Sequence, residues 1–231
     1  MKLKGGVIVI GSLLWDDSPI RTKWRQLYLK DSSEKVAIPL KIRYGRQSAS
    51  RDNTFTMMFS NHLSTKPGQG YIIPFKDDIQ NYRQLEGQAF ALASAEGILK
   101  ETNGPSLVAK WGAVGLCINP NAEEKDFKSI KIVKDRWTSM YKQYTTFNCD
   151  RFSVDGEQPT ISEEGYLQIE WTKEMDMFDV LIATPVRAKP NRIATIEEIV
   201  DNVNDYFYSN IKFGLTTYQD SEIIEMIERS K

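Results

Sequence analysis

The chain has 231 residues, with 30 Lys and Arg against 31 Asp and Glu and a formal net charge of −1. That length suits one large domain or a core with an appended half, and the charge balance predicts no nucleic-acid or membrane partner. His62 is the only histidine, which excludes a two-histidine metal site and an HExxH motif and leaves any Ser-His-Asp triad dependent on it.

Lys2, Lys4 and the apolar run Val7 to Trp15 outline a secretion signal. Trp15-Asp16-Asp17 follows where a small-residue cleavage site belongs, and Val-Ile-Val-Ile favours a strand, so no signal is expected. No other run approaches the ~18 apolar residues of a membrane span. Cys117 and Cys149 form no CxxC and read as free thiols suited to a reducing cytoplasm.

Val7 to Ile10 predicts a strand buried on both faces, with Gly11-Ser12 as the loop behind it. Ser18-Pro19 reads as an N-cap and first helical residue, ahead of Ile20, Trp24, Leu27 and Tyr28 at helical spacing. A strand over 24–29 is the alternative. "VAIPLKIRY" (36–44) and "TFTMMF" (54–59) predict paired strands around a Gly/Ser/Asn-rich hairpin loop, with Phe55, Met57 and Phe59 on one face. "GQGYIIPF" (68–75) predicts a further strand.

Asp77 or Asp78 is the expected cap of a helix through "IQNYRQLEGQAFALASAEG", weakened at Gly87 and stopped by Gly97. "WGAVGLCI" (111–118), "YLQIEW" (166–171) and "FDVLIATPV" (178–186) are strand candidates, the last ended by Pro185. Between 119 and 165 no clean period is visible. Thr195 to Glu198 forms a capping box before Ile199, Val200, Val203 and Phe207 on one face. Gly214 breaks that run, and Ile223, Ile224 and Ile227 mark a final amphipathic helix. Residues 195–229 hold eight acids against two bases, a solvated face or a partner surface.

Four segments could carry chemistry. The Gly11-Ser12 loop leaves backbone N–H groups able to converge on an anionic or polar group, or is a plain turn. "KVAIPLKIRYGRQSASR" (35–51) has five basic residues and no acid. It is either a hairpin whose bases face water or an anion site built from Arg43, Arg46 and Ser48. Glu96 ends an alanine-rich helix, where the negative end of the macrodipole favours its protonated form; a surface glutamate before a C-cap glycine is the plainer reading. Asp16-Asp17 has no third ligand for a metal and reads as helix capping.

Taken in order, these segments resemble one family. "IGSLLW" after a strand is similar to the Tyr-Gly-Ser loop of the gamma-glutamylcyclotransferase family, in the Gly-Ser-Leu-x-Trp form of its ChaC-type branch, with Ile10 at the tyrosine's position. "IPLKIRYGRQSASRDNTFTMMF" resembles a hairpin of uncharacterised bacterial relatives, and "ALASAEG" the helix that carries the family's catalytic glutamate. The resemblance spans roughly residues 5–118.

It implies an α+β fold around a small mixed, partly closed β-barrel with flanking helices. The family core would be 1–118, and 119–231 a C-terminal extension of strands and two helices packed on it as one globular unit. The implied reaction releases 5-oxoproline from a small-molecule γ-glutamyl compound, with no metal or cofactor. Glu96 would be the base, and the amides of Gly11, Ser12 and Leu13 would hold the substrate. The alternatives are a non-catalytic member binding a small carboxylate or a protein partner, and a phosphate or nucleic-acid binder using the basic hairpin.

Overall fold

Val7, Ile8 and Val9 are almost fully buried because β1 (Gly5–Val9) runs through the middle of a six-stranded sheet. The computed structural model describes residues 1–101, 105–154 and 156–230. Each buried Val or Ile side chain contributes about 1.5–3 kcal/mol of hydrophobic stabilisation. A continuous apolar run is what a strand covered on both faces requires.

The other strands are β2 (Val36–Gln47), β3 (Phe55–Phe59), β4 (Pro67–Pro74), β5 (Gly115–Ile118) and β6 (Val180–Ala183), in the order β3-β2-β4-β1-β6-β5. Among these six strands of the described residues, β1 and β6 pair in parallel and the other neighbours are antiparallel. The result is an α+β fold on a curled, mixed half-barrel sheet. β6, from the second half of the chain, lies between β1 and β5. The boundary at 118 therefore does not separate two sheets, and residues 1–118 lack a strand of their own core.

Helix α1 (Pro19–Tyr28) starts at Ser18 with Pro19 in its first turn. It buries only Trp24, while Leu27 is 56% exposed. Ile20 and Leu27 thus do not belong to the core stripe that their spacing suggests. Helix α2 (Tyr82–Glu96) is capped by Asn81, whose side chain accepts from the Gln84 N–H, and not by Asp77 or Asp78. It runs through Gly87 and stops at Gly97, whose φ of 86° needs a residue without Cβ.

Three further expectations are corrected in the second half. Ala122–Tyr141 forms helix α3 where no period was visible. Asp126 breaks the helical dihedrals, and its carboxylate accepts from the Ser129 N–H as a second cap. Beyond it Ile130, Val133, Trp137 and Tyr141 share the buried face. "YLQIEW" makes only single bridges at Tyr166 and Leu167. The run after the Thr195 capping box is two helices, α4 (Ile196–Val200) and α5 (Asp205–Lys212), because Asn204 caps the second anew. Helix α6 (Asp220–Arg229) buries Ile223 fully, whereas Ile224 is exposed. No helix among the described residues is long and apolar enough to cross a membrane.

Candidate functional site

Where β1 ends, the chain turns through Gly11 to Leu14 over a cavity of about 530 Å³, a size suited to a small-molecule ligand. Gly11, Ser12, Leu13, Arg46, Ser48 and Glu96 all line it. Arg43 does not. Its side chain is fully buried, Nε donates to Ser60 Oγ at 3.1 Å, and Nη2 lies 3.7 Å from the equally buried Glu157 carboxylate. Its charge is answered inside the protein, so the expected role of Arg43 in ligand binding is replaced by a structural one.

The loop keeps its shape through its own carbonyls. Leu14 N–H donates to Gly11 O, and the N–H groups of Trp15 and Asp16 donate to Ser12 O. Arg25 of α1 adds two bonds, to Leu13 O and Asp16 O, both at 2.7 Å. Among the described residues no acceptor takes the N–H of Gly11, Ser12 or Leu13. Three backbone donors therefore stay available beside the cavity.

One helical turn before Arg25, Arg21 ties the loop to α2. Its Nη1 donates to Ser12 Oγ at 2.6 Å and to Asp16 Oδ2 at 2.9 Å; its Nη2 donates to Glu96 Oε2 at 3.1 Å. Arg51 arrives from the β2–β3 turn and repeats the pattern, donating to Ser12 Oγ at 2.7 Å and Asp16 Oδ2 at 3.1 Å. That turn can curl back because Asp52 and Asn53 adopt positive φ, which their short polar side chains tolerate. Ser12 Oγ accepts from both guanidinium groups, so its own proton is left for another acceptor.

Burial pushes the Asp16 carboxyl up, but the Ser18 N–H, the Ser18 side chain, Arg21 and Arg51 outweigh it and hold it at about 2. Burial drives the Glu96 carboxyl the other way, above its ordinary value; Arg21 and Arg51 counter this, and the Asp16 charge adds to it. Asp16 is thus a fixed anion that organises two arginines, and Glu96 is a buried carboxyl whose proton is held more tightly than usual. Only Oε2 of Glu96 is taken by a protein donor among the described residues.

Compared with family models, curated proteins and solved structures, the chain matches none. The site stands on its geometry alone. Arg46 and Lys189, also in the cavity lining, sit side by side as bridge partners. Arg46 donates to Arg187 O at 3.0 Å and lies over the Trp111 ring. Among the described residues, four cationic side chains, Arg21, Arg46, Arg51 and Lys189, line the cavity against Glu96 as the one acid, a balance that favours an anionic ligand.

Arg21, Arg51 and Asp16 were not among the candidate ligand-binding residues named from the sequence. Their partners lie far along the chain, and no local spacing announces them. No group of His, Cys, Asp and Glu among the described residues could hold a metal ion.

Proposed function

We propose that the cavity binds a γ-glutamyl amide or peptide and releases 5-oxoproline from it. The observation that carries this reading is a carboxyl of raised pKa, Glu96, oriented through one oxygen beside three unspent loop amides. In this reaction the substrate's α-nitrogen attacks its own γ-carbonyl carbon. A C–N bond forms, the carbonyl oxygen takes up negative charge, and the C–N bond to the leaving amine then breaks. The α-ammonium loses two protons and the leaving amine gains two, so no water or cofactor is consumed. Glu96 Oε1 receives a proton from the α-nitrogen and passes it on, and the amides of Gly11, Ser12 and Leu13 offset charge on oxygen. Holding a flexible γ-glutamyl chain in the cyclising geometry supplies the rest of the acceleration. The α-carboxylate suits the cationic lining.

The fold type this implies is the gamma-glutamylcyclotransferase-like one, for which the curled mixed sheet is a compatible frame. A second reading follows from the Arg21–Glu96 pair. If the guanidinium keeps Glu96 ionised and occupied when ligand is bound, the same cavity is a carboxylate-binding site without turnover. Incubation with a panel of γ-glutamyl peptides and amines, reading free 5-oxoproline, separates the two. Release supports the enzyme, whereas binding by calorimetry without release selects the second reading.

A further inference from the structure

The C-terminal segment also reaches the cavity. Tyr206, in the first turn of α5, lines it while remaining only 6% exposed. Its hydroxyl lies where a side chain at position 11 would have to go: a Cβ on Gly11 would stand 2.9 Å from Tyr206 Oη, the one non-neighbouring contact within 4 Å among the described residues. Gly11 has no left-handed φ to explain the glycine. The space at that residue is filled by the tyrosine's hydroxyl.

Tyr206 is held there from several sides. Its ring meets Trp15 at 5.5 Å between centroids, and the Arg51 guanidinium lies 5.0 Å over its face. Asn204 accepts from the Tyr206 N–H at 2.9 Å, and its amide donates to Arg51 O at 3.0 Å. The start of α5 is thereby fastened to the turn that delivers Arg51. Trp15 Nε1 donates to Asn210 Oδ1 at 2.9 Å, which fastens the Gly11–Trp15 loop to the same helix.

We infer that the Tyr206 hydroxyl is a catalytic hydrogen-bond donor, adding to the loop amides at the γ-carbonyl oxygen where negative charge develops. This rests on the γ-glutamyl reading above. Burial raises the phenol's pKa, and the nearby Glu96 charge adds to the effect, against Arg51, Asn210 and the Met57 backbone. The group is therefore a neutral O–H at physiological pH, as a donor must be. A fixed donor aimed at developing charge needs little reorganisation when the reaction occurs. The ring contacts with Trp15 and Arg51 supply that fixity.

Tyr206→Phe keeps the ring and both stacking partners and removes only the hydroxyl. With the full-length protein and the γ-glutamyl panel, kcat should fall roughly 10²-fold, the scale of one lost oxyanion donor. KM and the melting temperature should change little. Gly11→Ala supplies an independent arm, since its methyl would displace Oη. It should lose activity by itself, and adding Tyr206→Phe to it should cost nothing further. Unchanged kcat in Tyr206→Phe, a rise in KM alone, or losses that multiply in the double variant each overturn this inference while leaving the function standing. Absence of 5-oxoproline release by the wild type overturns both.

Discussion

Arg21 Nη2 meets Glu96 Oε2 at 3.1 Å, although 75 residues separate the two in the chain. The contact joins the first helix to the C-terminal end of the second, at the one acid among the described residues that lines the cavity. Both side chains are mostly shielded, at 12% and 17% exposure, so the pair is less screened than a surface ion pair. It engages Oε2 and leaves Oε1 without a protein donor among the described residues.

Glu96→Gln keeps the size of the side chain and cannot accept the substrate's proton. Arg21 retains Ser12 and Asp16 as acceptors, so the fold should survive. Turnover should drop by at least the ~10²-fold typical of a general base, measured as 5-oxoproline release, with ligand affinity retained. Glu86→Gln, one stretch earlier on α2 and outside the cavity, should match the wild type. Normal turnover by Glu96→Gln would remove Glu96 from the mechanism.

Arg21→Met should shift the pH dependence in a defined direction. Arg21 is the leading influence that lowers the buried Glu96 carboxyl, so its removal raises that pKa further. A base must be ionised to act, and the acidic limb of the kcat/KM profile should therefore move to higher pH. Stability follows the same sign. A carboxyl raised by burial favours the folded state when protonated, and that advantage is lost as pH climbs through its folded pKa. The variant should accordingly lose more stability at pH 8 than at pH 4, and an unshifted profile would separate Arg21 from Glu96.

The frame of this site was legible because its signals are local. Val-Ile-Val-Ile marks a doubly covered strand, Gly97 a helix stop, and Thr195 with Glu198 a capping box, each within a few residues. Helix α3 was not, since Asp126 interrupts it and its buried face includes Ser129, Trp137 and Tyr141 rather than a clean aliphatic stripe. The cavity shows the same divide. Ser12 and Glu96 could be named from what surrounds them in the chain, but Arg21, Arg51 and Tyr206 acquire their meaning from partners brought close only by folding. Arg43 shows the reverse case: a basic hairpin position reads as water-facing or as part of an anion site until a distant Glu157 claims it.

Asp16 should carry acid-labile stability. Its carboxyl is held at about 2 in place of an ordinary 3.8. A depressed carboxyl stabilises the fold above its unfolded pKa, and that stability disappears as pH falls through the folded value. Asp16→Asn should cost about 1–2 kcal/mol at pH 7, after allowance for water that reaches the group. Urea midpoints should show the gap closing between pH 4 and pH 2. A gap of equal size at both ends would mean that the charge is irrelevant and that only shape was lost.

Arg43→Met should damage the fold rather than ligand binding. The Arg43 and Glu157 side chains have no solvent exposure, and Ser60 Oγ links them, accepting from Arg43 and donating to Glu157 Oε2 at 2.8 Å. Removing the cation leaves a carboxylate buried without its charge partner, at a cost of about 3–5 kcal/mol. Replacing both ends is a different change. An apolar pair of similar volume avoids both desolvation costs, and Arg43→Met with Glu157→Leu should recover most of the loss. Arg46→Met is the counterpart in the cavity: it should melt near the wild type and weaken the binding of a γ-glutamyl ligand by ~1.5–3 kcal/mol if its guanidinium meets the ligand's anion. Melting temperatures with calorimetric affinities for the three variants decide the assignment. An Arg43→Met protein that is stable yet fails to bind would return Arg43 to the site and show that Glu157 does not need it as a charge partner.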